Sequence, residues 1–219
     1  MFFDEVPCVL AYTPHVTPSD TARDTRRGAL IVISGPSGVG KTTIVRAVKE
    51  RLGGIFSVSA TTRPQTAQEE DGVDYFFLTE DQFQTMIDED QLLEYAQVFG
   101  KHRYGTPRGP VEEALADGKL VILEIDVQGA LQVRKSAPDT YMMFILPPTE
   151  AALLARLQRR GRDDDEAIQR RFGEAKREIA RAKASGAYDA VVTNDDLDIA
   201  QSEACSLIKG RLQGARAKS

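Results

Sequence analysis

Gly35 to Thr42 reads GPSGVGKT and satisfies the phosphate-binding pattern G-x-x-x-x-G-K-[ST] at every fixed position. The residue types set what such a stretch can do. Glycines let successive backbone N–H groups turn inward around an anion. A helix that starts at the end of the loop adds partial positive charge. The Lys41 ammonium is placed to reach the outer phosphates of a nucleoside triphosphate, and the Thr42 hydroxyl to ligate Mg²⁺. Gly35, Pro36, Ser37, Gly38, Val39, Gly40, Lys41, Thr42 and Thr43 are the candidate triphosphate-binding residues.

Further groups of residues could work with that loop. Arg156 to Arg171 (RLQRRGRDDDEAIQRR) carries Arg156, Arg159, Arg160, Arg162, Arg170 and Arg171 around a charged break. Read plainly it is a solvated helix pair with intrahelical charge pairs. Beside a phosphate loop it is also the composition of a lid that brings arginines to a transferring phosphoryl group. Glu124 and Asp126 close the apolar run LVILEID, and an acid at a strand end can hold Mg²⁺ or its waters. On strand periodicity the two acids share a face and Ile125 points away. Between Ser59 and Thr106 lie Arg63, Tyr75, Glu94 and Tyr104. Arginine and tyrosine can grip a phosphate, and a glutamate can accept from the N–H edge of a guanine-like purine. Each also has an ordinary reading, Glu94 as a solvated strand residue and Tyr75 as core.

The elements that must position these groups follow from periodicity. Ala29–Ser34 is an apolar, β-branched run that predicts a buried parallel strand, and Thr42–Leu52 has helical spacing. Strands are predicted over 55–61, 73–78, 92–99, 120–126, 141–146 and 190–193, and a polar loop over 62–72. Helices are predicted over 79–89, 110–116, 128–136, 149–159, 164–183 and 197–212. Tyr104–Pro107 reads as a turn, with Pro110 at a first helical position. Alternating strands and helices predict an α/β fold with a parallel-sheet core. The block 59–116 breaks that alternation and predicts an inserted mixed or antiparallel lobe. The expected organisation is an extension of poor order over 1–27, a domain over 28–212 and a tail over 213–219. Within the domain the core is 28–58 and 117–212, and the lid lies at about 157–170.

Bulk properties narrow the function classes. The 219 residues carry a formal net charge of −5, which argues against a general nucleic-acid-binding surface. No apolar run is long enough to span a membrane. Cys8 and Cys205 are far apart and form no metal-type cluster. The start Met1-Phe2-Phe3-Asp4-Glu5 lacks the basic character of a signal peptide, so a cytoplasmic setting is expected.

Taken together, SGPSGVGKTT, SVSATTR, DGVDYFF, LLEYAQVFG, YGTP, LEIDVQGA, FILPP, the arginine stretch and YDAVVTNDD resemble guanylate kinases, from about Gly28 to Leu212. The resemblance implies a P-loop core, ATP and GMP as small-molecule substrates, Mg²⁺, and a monomer or homodimer with no nucleic-acid or membrane partner. It implies that Lys41, Arg160 and Arg171 act on the transferred phosphoryl group. Ser59, Glu94, Thr106 and Asp126 would read the guanine base, and Arg63, Tyr75 and Tyr104 would grip the GMP phosphate. Asn194 would lie near the adenine, and Glu124 would help order the metal.

This sequence departs from the family pattern in places. Where TTRxPRxGE is usual it has TTRPQTAQEE, so Thr66 stands for a second phosphate-gripping arginine and Gln68 for a glycine. A lost charge-assisted contact costs about 1.5–3 kcal/mol of binding. GKHRYGT is one residue longer than the usual spacing, and makes Arg103 a candidate to replace part of the missing charge. The readings that compete are a non-catalytic interaction module, disfavoured by the intact loop, and a kinase of the same fold acting on a ribose bisphosphate.

Overall fold

The computed structural model describes residues 28–98, 101–159 and 164–216. Expectations for residues 1–27, for Arg160 and Arg162, and for 217–219 lie outside them. The core sheet is built from β1 (Ala29–Ser34), β2 (Ile55–Phe56), β7 (Leu120–Glu124), β8 (Tyr141–Leu146) and β9 (Ala190–Thr193). All its pairings are parallel, in the order β2-β7-β1-β8-β9. β1 lies at the centre, which explains its unbroken apolar run, because both of its faces are covered. Ile31 and Ile33 pack with Ile44, Val45 and Val48 of α1 (Lys41–Leu52) and with Ala200, Ala204 and Ile208 of α7 (Leu197–Arg216). Leu30 and Val32 face the other way, onto Val111 and Leu115 of α3 (Arg108–Ala116) and Ala130 and Val133 of α4 (Val127–Ser136). Truncating one such large aliphatic side chain to alanine costs about 2–5 kcal/mol. The loop after β1 is therefore anchored on the most buried strand of the fold.

A second sheet, ordered β4-β3-β6-β5, is built from β3 (Ser59–Thr61), β4 (Tyr75–Phe77), β5 (Leu92–Val98) and β6 (His102–Pro107). It is mixed: β3 and β4 run parallel, while β6 pairs antiparallel with both β3 and β5. α2 (Glu80–Asp88) covers it with Phe83 and Met86, both buried against Ala60 and Leu92. A reciprocal cap fixes where α2 begins: the Gln82 N–H donates to Thr79 Oγ1 at 3.1 Å and the Thr79 N–H to Gln82 Oε1 at 2.8 Å.

Several expectations are corrected. The predicted strand 55–61 is two strands in two sheets, β2 pairing with β7 and β3 with β4 and β6. Residues 104–107, read as a turn, are the end of β6. The Gly-Thr-Pro signal is real, but non-local pairing with β5 overrides it, and Pro107 closes the strand where no donor is needed. α3 starts at Arg108, so Pro110 occupies its third position, where a missing N–H still has no intrahelical partner. β7 ends at Glu124; Asp126 has left the strand to cap α4, so the two acids do not share a strand face. α7 continues to Arg216, beyond the expected end at Leu212.

Candidate active site

The phosphate loop joins β1 to α1. Gly40 sits in the left-handed region at φ 97°, and a Cβ there would meet Asn194 Nδ2 at 2.6 Å, so only glycine fits this turn. Asn194, on the residue after β9, is buried and supports the loop from behind: its Nδ2 donates to the Val39 carbonyl at 2.7 Å. Its Oδ1 is buried with no hydrogen-bond partner among the described residues. The Val39 side chain is fully buried, so only its backbone faces the loop. Arg156 braces the same corner by donating to the Asn194 carbonyl at 2.8 Å, which gives it a structural role rather than one in the lid. Lys41 folds over the loop and donates to the carbonyls of Gly35 and of Pro36, the latter at 3.1 Å. Thr43 is exposed on the first turn of α1.

Beside the loop, Thr42 Oγ1 donates to Glu124 Oε1 at 2.6 Å. A hydroxyl and a carboxylate are hard oxygen donors. Mg²⁺ characteristically takes one or two carboxylates and completes its shell with phosphate and water. The pair fits that ion. Among the described residues no group of three or more His, Cys, Asp or Glu is placed to form an all-protein metal cage.

Where the two sheets meet, a cavity of about 150 Å³ is lined by Phe56, Ser57, Ser59, Thr106, Glu124 and Ile125, among others. Glu94 lies directly across the β5–β6 ladder from Thr106, whose hydroxyl donates to Glu94 Oε1 at 2.6 Å. Both are buried, Glu94 at 8% exposure, so the solvated-strand reading of Glu94 is overturned. Burial pushes the Glu94 carboxyl up to about 7, the Asp126 charge adds to the rise, and the Thr106 hydroxyl opposes it. Asp126 accepts the Gly129 N–H at 2.8 Å as the N-cap of α4. Gly129 also leaves room for Glu94: a Cβ there would stand 2.8 Å from Glu94 Oε2.

Arg63, Tyr75 and Tyr104 come together on the second sheet. The Arg63 guanidinium lies 5.4 Å from the Tyr75 ring centroid, and the Tyr75 and Tyr104 rings meet edge to face at 5.9 Å. Arg103 does not join them. It donates to Gln84 Oε1 at 2.7 Å and pairs with Glu80 at 3.3 Å, both on α2. Neighbouring residues of a strand face opposite ways, so Arg103 leaves β6 on the face opposite Tyr104. Arg103 is thus placed with α2 and not beside Arg63, against the expectation that it replaces part of the missing charge.

α5 (Glu150–Arg159) and α6 (Asp165–Ser185) flank the arginine break. Arg171 on α6 donates to Ser37 Oγ of the phosphate loop at 2.9 Å, so one arginine of the predicted lid reaches the loop. Arg160 lies outside the described residues. The sequence reading missed some neighbours. Ser57 Oγ is buried beside the cavity without a hydrogen-bond partner among the described residues. Glu178 of α6 is pushed up by burial, which the Lys41 charge opposes, placing an acid against the loop. Neither has a motif around it; only packing reveals them.

A glycine loop on the central strand of a parallel sheet, a hydroxyl–carboxylate pair at a strand end and an arginine arriving from a later helix define a P-loop phosphotransferase. Comparisons narrow the class. The guanylate kinase family model matches residues 27–210. Over 179 residues the chain is 50% identical to a protein of Thermosynechococcus vestitus named guanylate kinase, covering 81% of this chain and 92% of that one. It is 48% identical over 183 residues to one from Synechocystis, covering 83% and 94%. The crystal structure of guanylate kinase from Anaplasma phagocytophilum matches with a TM-score of 0.61 at 28% identity, covering 84% and 86%. The chain belongs to the guanylate kinase family.

Proposed function

We propose that the protein transfers the terminal phosphoryl group of ATP to GMP, and to dGMP, giving ADP and GDP or dGDP. The observation that carries the choice of acceptor is the buried Glu94–Thr106 pair, whose Thr106 lines the cavity where the two sheets meet. Ionised Glu94 can accept the ring N–H and the amino group of guanine together, a pairing that adenine and cytosine do not offer. Ser59, Thr106 and Asp126 complete base recognition, and Arg63, Tyr75 and Tyr104 hold the acceptor phosphate.

An oxygen of the GMP phosphate attacks the γ-phosphorus, the bond to the β–γ bridging oxygen breaks, and ADP leaves with the electron pair. The attacking oxygen is already anionic near neutral pH, so no side chain has to remove a proton. Lys41 and the loop N–H groups stabilise charge on the donor phosphates, and Arg171 with Arg160 does so on the group in transfer. Thr42 and Glu124 are the residues that would hold Mg²⁺, which when bound supplies charge neutralisation at phosphate oxygens. The lobe 59–116 closes on the core to exclude water. A cytoplasmic setting suits ATP as donor and the buried free thiol of Cys205. Separation of products from γ-labelled ATP and GMP tests the reaction: labelled GDP should form with Mg²⁺ and not with excess chelator, and labelled inorganic phosphate as sole product would contradict it.

Two consequences concern Glu94. Its carboxyl rises from an ordinary 4.5 to about 7 in the folded protein. Between those values the folded state binds more protons than the unfolded one, so the contribution of this group to stability falls as pH rises through the window and is flat above it. Base recognition has the opposite sign, because the ionised form is the double acceptor. Guanosine, which has no phosphate to titrate, should bind about tenfold more tightly per pH unit up to about 7 and then level off. A flat profile from pH 5 to 8 in calorimetric titration would contradict this. Gly129→Ala should displace only the Glu94 carboxylate. We expect about tenfold weaker GMP binding with melting temperature and ATP KM nearly unchanged; an unaltered GMP KM would show that the glycine does not aim the carboxylate.

A further inference from the structure

The loop between β3 and β4 gathers hydrogen-bond donors around one of its own carboxylates. The Glu69 carboxylate accepts from Arg63 Nη2 at 2.6 Å and Nη1 at 3.0 Å, from the Thr66 backbone N–H at 2.9 Å and from Thr66 Oγ1 at 2.8 Å. Four donors converge on one carboxylate, and the arginine that supplies half of them is the one stacked beside Tyr75. Arg63 Nη1 also donates to the Pro64 carbonyl at 2.9 Å, so three of the four N–H bonds at the end of this guanidinium are engaged within the loop.

We propose that Arg63 and the Thr66 N–H and hydroxyl form the seat of the acceptor phosphate, and that Glu69 is an internal carboxylate which the incoming phosphate displaces. The inference rests on the GMP reading above and adds the identity of the missing donors. Thr66 stands where the family pattern carries a second arginine, and its two donors already point at an oxyanion. The charge balance gives Glu69 its weight. The Glu69 carboxylate cancels the Arg63 guanidinium it pairs with, so that guanidinium becomes available to another anion only when Glu69 leaves. The neighbouring acids are engaged elsewhere. Asp71 Oδ1 accepts the Phe77 N–H at 2.9 Å, and Asp74 Oδ2 accepts the Glu70 N–H at 2.8 Å, which tie the loop to itself and to β4. Glu69 can therefore swing on its own side-chain bonds while the loop stays in place. Arg63 holds its carboxyl down to about 2, so acidification within the working range does not open the seat and competition by a phosphate does.

The test compares Glu69→Gln, which keeps the shape and removes the charge, with Glu69→Ala, which removes both, in the full chain. Removing a competitor should lower the GMP KM and the calorimetric GMP Kd by about three- to tenfold, with the alanine variant at least as tight as the glutamine variant. The ATP KM should stay within about twofold. Tighter binding is a gain that loss of a merely structural contact does not produce. An unchanged or raised GMP KM overturns the inference; a rise larger in the alanine than in the glutamine variant makes Glu69 a brace that aims Arg63. If the alanine variant fails to fold, the isosteric glutamine variant decides. Wild-type protein that turns over GMP while the glutamine variant shows no gain removes this inference alone, whereas wild-type protein inactive with GMP removes the functional reading and this inference with it.

Discussion

Lys41→Ala is expected to lower kcat by about 10³-fold or more, with a much smaller change in the ATP KM. In the proposed reaction no residue acts as base or nucleophile, so rate enhancement rests on positioning and on charge placed where charge develops. Lys41 is the cation that the phosphate loop itself contributes. Its ammonium lies over the loop, on the carbonyls of Gly35 and Pro36, within reach of whatever the loop binds. The fold should survive the change. The side chain is only partly buried, and the loop is held independently by Asn194 and Arg156. A coupled assay of ADP release, with the melting temperature as control, reads both effects. A variant that folds and retains wild-type kcat would remove the electrostatic mechanism.

Glu94→Ala should raise the GMP KM by about 10²-fold or more and erode the preference for guanine. Hydrogen bonds to a charged acceptor contribute about 1.5–3 kcal/mol each, and guanine offers two donors to this carboxylate. The substitution also strips the buried Thr106 hydroxyl of its carboxylate partner, an additional cost at the same site. IMP, which lacks the amino group of guanine, discriminates between local collapse and lost recognition. Wild-type protein should favour GMP over IMP, and the variant should treat them nearly alike. A variant that keeps the wild-type ratio would move base recognition away from Glu94.

What could be read in advance follows from where the information is local. β1, the glycine loop and α1 were legible because a strand buried on both faces must be apolar throughout, and because the loop's chemistry fixes residue types at fixed spacing. The same holds for Thr42 and Glu124, which meet through one bond between two legible elements. β6 was not legible. His102–Pro107 has no apolar alternation, and its pairing with β3 and β5 is set by register between distant segments. Register also decided Arg103: one residue from Tyr104 in sequence, it faces α2 and serves the surface of the lobe. Asp126 stands out in the sequence as an acid at a strand end, but strand periodicity gives it the wrong neighbours, since it has left β7 to cap α4. Ser57, Gly129 and Glu178 carry no spacing signal, and their relevance lies in what three-dimensional packing brings within a few ångströms of them.

The central claim is that a guanine-reading cavity and an ATP-binding loop serve one transfer. It is tested most directly by measuring kcat/KM for ADP release with ATP and Mg²⁺ while GMP, dGMP, AMP, CMP and ribose phosphates are offered one at a time. Turnover with GMP and dGMP, and at least about 10²-fold lower kcat/KM with AMP and CMP, is the predicted result. Equal turnover across the bases, preference for a ribose phosphate, or ATP binding without transfer to any acceptor would contradict it.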